Sequence, residues 1–196
     1  MTLRDRIGVD LGRRVSLEEG VDWALTNNVK YIDAQLDITP NGLMDFDEAR
    51  CKPIREKARE HGIHLGLHTL SGVNIAEYSP FLSEAIDAYL KTYIDVAIRL
   101  SAEWIVVHPG HHFGDKEARM EAAIGHIARA LRYAEDVGAL LYLENMNWEP
   151  DLAEVHYLGH TIEEAKFYFE RLTSPNLKWS FTINHAHLVP DGIDRF

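Results

Sequence analysis

Six apolar runs of strand length alternate with long amphipathic stretches along the whole chain, and few architectures absorb such a pattern. The runs are "RIGVDLG" (6–12), "VKYIDAQLD" (29–37), "IHLGLHTL" (63–70), "EWIVVHPG" (103–110), "ALLYLENM" (139–146) and "LKWSFTINHAHL" (177–188). They are nearly continuous in apolar character, as strands covered on both faces are. A β-then-α order repeated six times implies a parallel sheet with right-handed crossovers. Two closures compete, an open doubly wound sheet and a (β/α) barrel. An open dinucleotide-binding sheet needs a glycine-rich phosphate turn after its first strand. "VDLGRRVSLEEG" (9–20) has no GxGxxG, so the barrel is the expected α/β closure.

The helical stretches carry their own boundary signals. Ser16 with Glu19 three residues on has the spacing of a capping box. Gly138 follows the last periodic residue of 115–137, where a left-handed C-cap belongs. Pro53 lies inside "DFDEARCKPIREKAREHG" (45–62) and predicts a kink or a late start. Across 79–101, Phe81, Ala85, Tyr89, Tyr93 and Val96 recur with helical period and mark the expected buried face.

A chain of 196 residues suits one domain, and no linker or low-complexity tract divides 1–196. The net charge is −11 with no basic run, which opposes a nucleic-acid partner but leaves room for a small sugar or sugar phosphate. No apolar run approaches the ~20 residues of a membrane span, and the N-terminus lacks the apolar core of a signal peptide. Cys51 is the one cysteine, so no internal disulfide can form. These features fit a cytoplasmic protein with no membrane partner.

The polar residues gather at the C-terminal ends of strands, where parallel α/β folds build their sites. His68 ends the third strand, His108 the fourth and Glu144 the fifth, while Thr182 and His185 end the sixth. Strand alternation puts His68 on the face of His64 and Gly66, His108 on that of Val106, and Glu144 on that of Tyr142. Taken singly, a histidine at a strand end is a polar residue satisfied by its neighbours. Two imidazoles and a carboxylate converging from consecutive strands form a site for zinc or a similar metal. His111 and His112 follow the "HPG" turn, either as solvated loop histidines, the favoured reading, or as residues lining the mouth of such a site. Trp148 and Tyr157 lie on the long 145–160 loop, positioned either to cover a substrate or simply to pack the loop down. His61, His64, His126, His156 and His160 read as surface, core or loop residues.

With these residues in place, the chain resembles the xylose isomerase-like TIM-barrel superfamily, which holds sugar (phosphate) isomerases and epimerases and the endonuclease IV-type AP endonucleases. "LHTLSGVNIAE", "WIVVHPG", "LYLENM" and "FTINHAHLVPDGID" carry the likeness, in the right order and at strand ends. The resemblance implies a TIM-type barrel with six of its eight βα units present. It implies His68, His108 and Glu144 as ligands of a divalent metal, zinc or manganese ahead of magnesium. Glu144 and His185 become the candidate catalytic residues, and His111, Trp148 and His187 the candidate substrate contacts. Two departures stand out. Thr182 occupies the place of a metal-binding aspartate, and a hydroxyl is a poor ligand for a divalent ion. Strands seven and eight have no counterpart in the sequence.

The first expectation is a metal-dependent sugar or sugar-phosphate isomerase or epimerase, impaired by Thr182 and by the two absent strands. An AP endonuclease-like phosphodiesterase is the alternative. The acidic chain opposes it, as does Ser71, which stands where DNA-binding relatives carry an aromatic. A non-catalytic ligand-binding relative is the third reading. Strands one and six are expected to be uncomfortable apolar edges, neither of them short, so the chain is expected to form a homo-oligomer.

Overall fold

The computed structural model describes residues 3–190 and 192–196. Asp191, part of the last sequence motif, lies outside them. Six strands form one sheet in the order β1-β2-β3-β4-β6-β8, and a separate pair, β5 and β7, forms a second. Strand order follows chain order throughout the main sheet, as repeated βα units require, and the sheet is parallel and TIM-barrel-like. No helix among the described residues is long and apolar enough to cross a membrane.

The chain divides into two units. The first, 1–70 with 91–105, contains β1 (Gly8–Asp10), α1 (Leu17–Asn27), β2 (Tyr31–Gln35), α2 (Glu48–His61) and β3 (His64–His68). It also takes in the first two residues of β4 (Trp104–Val107) and the second half of α3 (Pro80–Leu100). β1 and β2 pair in parallel, with Asp10 opposite Asp33, and β2 and β3 do likewise, with Asp33 opposite Gly66 and Gln35 opposite His68. Ile32, Ala34, Leu65 and Leu67 are buried, together with Leu17, Val21 and Ala24 of α1 and Cys51, Ile54 and Ala58 of α2. Spacings of three and four place each helical set on one stripe. Ser16 caps α1 in a full capping box with Glu19. The α2 N-terminus is capped by Asp47, so the helix starts ahead of Pro53 and not after it.

Buried Asn41 and Tyr93 supply polar ties within this unit. The Asn41 amide accepts from the Leu17 N–H (3.0 Å) and donates to the Val15 carbonyl (2.9 Å). The Tyr93 hydroxyl donates to Asp37 (2.5 Å), accepts from the Leu36 N–H (3.2 Å) and lies 3.1 Å from the His68 carbonyl. It therefore joins the ends of β2 and β3, just where His68 leaves the sheet.

The second unit, 71–90 with 106–196, holds β5 (His111–His112), α4 (Lys116–Val137), β6 (Leu141–Glu144), β7 (His156–Tyr157), α5 (Ile162–Arg171), β8 (Leu177–Ser180), α6 (Ile183–His187) and α7 (Gly192–Arg195). β6 and β8 pair in parallel, with Glu144 opposite Ser180. Ala123, Ile127, Ala130 and Ala134 of α4 are buried, as are Leu141 and Leu143 of β6. Gly138 ends α4 at φ 79°, in the left-handed region where glycine is favoured.

Three further expectations are corrected. Of the expected face of α3, Tyr93 and Val96 are buried, but Phe81 is 93 % exposed and Ala85 is also exposed; the buried face runs on through Ile86, Leu90, Ala97 and Leu100. The apolar set that includes Phe81 is equally periodic, and periodicity alone does not choose between adjacent stripes of an apolar helix. The last strand stops at Ser180, so Thr182 precedes α6 as its N-cap and His185 lies on that helix, not at a strand end. The edge strands are also short, three residues in β1 and four in β8.

Candidate metal and substrate site

β4 runs into His108 and β6 ends on Glu144, and both side chains are buried, at 5 % and 6 % exposure. His108 Nε2 lies 2.9 Å from Glu144 Oε2. A carboxylate taken out of water needs partners to offset its desolvation, and His108 is one of them. Another is the Thr182 hydroxyl, which donates to Glu144 Oε1. Thr182 is placed by Asn145, the next residue along from Glu144. The buried Asn145 amide donates to the Thr182 carbonyl (3.0 Å) and accepts from the Thr182 N–H (2.7 Å). The Asn145 side chain thus continues the β6–β8 ladder beyond Ser180, where backbone pairing stops.

His185 comes to the same place. Its Nδ1 is 2.8 Å from the Asn145 carbonyl and 3.7 Å from Glu144 Oε1. A carbonyl only accepts, so Nδ1 is the protonated nitrogen and Nε2 carries the lone pair. The Asn145 backbone and side chain therefore place both residues of the last motif against Glu144.

His68 ends β3 with Nδ1 2.7 Å from Asp33 Oδ2. Among the described residues one group of three metal-ligating side chains is close enough to share an ion. It consists of His68, His108 and Glu144, whose ligand atoms, one from each, lie within 4.8 Å of one another. Two imidazoles and one carboxylate form a donor set of the kind that holds zinc or manganese.

A scan against family models matches residues 21–196 to the xylose isomerase-like TIM barrel. The chain belongs to that family. Within the family's fold, similar solved structures include a D-tagatose 3-epimerase-like protein, at 20 % identity and a TM-score of 0.78, covering 92 % of this chain and 66 % of that one. A D-psicose 3-epimerase crystallised in the presence of D-fructose matches at 16 % identity and 0.79, covering 94 % and 65 %. The D-psicose 3-epimerase from Clostridium cellulolyticum H10, with D-tagatose, matches at 15 % identity and 0.78, again covering 94 % and 65 %. At such identities the likeness establishes the xylose isomerase-like fold alone. The chain spans about two thirds of the length of these structures. A search of curated proteins finds no significant match.

The other residues expected at the site are more scattered. His111 is half-buried on β5, with its N–H on the Asn74 side chain (2.9 Å) and its ring edge-on to Phe113 and Tyr157. Trp148 is on the 145–160 loop and exposed. The base of that loop is closed by Met146 N–H to the Gly159 carbonyl (3.1 Å) and Leu158 N–H to the Gly110 carbonyl (2.9 Å). His187 is exposed on α6, two residues from His185 and so on a different side of the helix. Two residues that sequence reasoning did not single out hold the site in shape, Asp33 and Asn145. Burial pushes the Cys51 thiol up to about 11, which removes it as a nucleophile at neutral pH.

Proposed function

We propose that this protein is a metal-dependent sugar or sugar-phosphate isomerase or epimerase, acting on a small ketose, with turnover reduced by Thr182. The observation that carries the proposal is the group of His68, His108 and Glu144. Its position at the ends of parallel strands and the family membership of the chain support it. We assign His68, His108 and Glu144 as the residues that hold a divalent ion, zinc or manganese by donor type. Such an ion polarises a carbonyl and a neighbouring hydroxyl, which acidifies the C–H between them.

The chain's own groups divide the remaining work. Glu144 is the carboxylate placed to hold the ion or to take the proton from carbon. His185, with its Nε2 lone pair set by the Asn145 carbonyl, accepts a hydrogen bond from a sugar hydroxyl. His111, Trp148 and His187 are the proposed further substrate contacts. Thr182 brings a hydroxyl but no charge beside Glu144, so the site has one carboxylate fewer than the family pattern and its turnover is lower. A net charge of −11 suits a neutral or singly phosphorylated sugar better than a nucleic acid, which sets this reading ahead of a phosphodiesterase. The lone, buried Cys51 accords with a reducing, cytoplasmic setting.

The test is incubation with D-fructose, D-tagatose or D-psicose and MnCl2 in heavy water. Slow manganese-dependent deuterium incorporation at the carbon beside the carbonyl, abolished in Glu144→Gln, is the expected result. A protein that binds manganese and a ketose yet exchanges no proton over days is instead a ligand-binding relative and refutes the catalytic reading.

A further inference from the structure

His68 is reached by a device assembled from three strands of the first unit. Asp33 lies mid-way along β2, directly opposite Gly66 of β3. On β3, His64, Gly66 and His68 share one face, by the two-residue period of a strand. The middle position of that face has no side chain. A Cβ built on Gly66 would lie 1.7 Å from Cε2 of Trp104, so the indole fills the space that any larger residue would need. Laid across Gly66, the indole brings Nε1 to 3.0 Å from Asp33 Oδ1. The other carboxylate oxygen, Oδ2, is 2.7 Å from His68 Nδ1.

The donor inventory fixes the roles. An indole N–H only donates, so Oδ1 accepts it. With the carboxylate so oriented, Oδ2 accepts from Nδ1–H of His68, and the imidazole lone pair is placed on Nε2. A histidine that ligates a metal through one nitrogen usually donates its other N–H to a carboxylate or carbonyl, and losing that partner typically costs about 10–100-fold in metal affinity.

We infer that Asp33, held by the Trp104 indole over Gly66, is a positioning residue that sets His68 in its Nδ1–H tautomer and thereby makes Nε2 the metal-binding nitrogen. The inference rests on the proposed role of His68 as a ligand. It reaches beyond that role by extending the site to Asp33, Gly66 and Trp104. Asp33→Asn is the sharpest variant, because an amide has one acceptor oxygen for two donors, the Trp104 and His68 N–H groups. Trp104→Phe keeps an aromatic ring at this position and removes the N–H together with one ring of the indole.

Two readouts test the inference. The first is the 15N imidazole NMR spectrum of the full chain without metal, assigned at His68. The second is the affinity for MnCl2 by calorimetry. The expected result is an Nδ1–H, lone-pair-Nε2 ring for His68 in the wild type, a mixture of tautomers in Asp33→Asn, and manganese binding weaker by about 10–100-fold in that variant. Trp104→Phe is expected to weaken binding by less, and it keeps the test decisive if Asp33→Asn does not fold. An Nε2–H ring for His68 in the wild type overturns the inference, as does undiminished manganese affinity in Asp33→Asn, or in Trp104→Phe where that is the variant that folds. A wild-type protein that binds no manganese refutes the proposed metal role instead, and the metal-free spectrum then decides the part played by Asp33 on its own.

Discussion

His108 Nε2 lies 2.9 Å from Glu144 Oε2, with both side chains buried at the ends of neighbouring strands of the main sheet. The contact brings together two groups that each bind divalent ions well, with a proton between them. On the opposite side, Thr182 donates to the other oxygen of the same carboxylate. Glu144 is thus held at both oxygens by side chains the fold itself positions, and an ion entering here exchanges with the proton.

Replacing Thr182 by aspartate reverses the balance at Glu144. Without an ion, two carboxylates share one buried site and repel, so Thr182→Asp is expected to be less stable than the wild type. With manganese present the added charge is a ligand, and its affinity is expected to rise by about tenfold or more, as an added hard oxygen donor favours a divalent ion. Thermal melts with and without MnCl2 check both signs. A variant equally destabilised in both conditions contradicts the account of this position.

The β5–β7 pair is expected to weaken as the solution turns acidic. His112 and His156 are cross-strand partners with their rings stacked at 5.4 Å. The His112 pKa is lowered by burial, and further by His156 and Lys116, against the opposing pull of Glu164 and Asp115. Its Nδ1 accepts the Gly114 N–H at 3.1 Å, a bond that only the neutral ring can make. A depressed folded-state value means that the stabilisation is fully present above the unfolded value of about 6.5 and is lost as pH falls through the lower folded one. An NMR titration should place His112 below the usual range, and His156→Phe should raise it. Titration of His112 at or above the ordinary value contradicts this.

Self-association is expected at the β8 edge. Trp179 stacks on Phe169 (5.6 Å between centroids) and meets Phe196 (5.5 Å) and Phe181 (6.3 Å) edge-on. Trp179 and Phe181 remain exposed beside the open backbone groups of the strand. Such an edge favours pairing with a second chain, and the shortness of β8 limits how much pairing it supports. Light scattering should report a mass above 22.4 kDa that falls in Phe181→Lys. A stable monomer at tens of micromolar contradicts it.

The strands, their order and the capped helices were legible because each rests on local signals, namely an apolar run, a capping box or a terminal glycine. The strand-end positions of His68, His108 and Glu144 were legible because apolar runs and alternation place them without knowledge of packing. Phe81 was misplaced because α3 offers two apolar stripes and only its neighbours select one. The end of the last strand was misplaced because "FTINHAHL" stays apolar while the side chain of Asn145, far away in sequence, takes over the pairing from the backbone. Asp33 went unnoticed for a similar reason. Nothing near it in the sequence reveals that a glycine 33 positions later leaves room for an indole 71 positions away.

The most direct test of the central claim is a calorimetric titration of the metal-stripped chain with MnCl2 and ZnCl2, alongside Glu144→Gln and His108→Ala. The account predicts about one equivalent bound by the wild type, with affinity falling at least about 100-fold in each variant whose circular dichroism spectrum is unchanged, since each loses a ligand and not merely a supporting contact. Binding by the wild type that survives both substitutions, or no binding at millimolar metal, would contradict it.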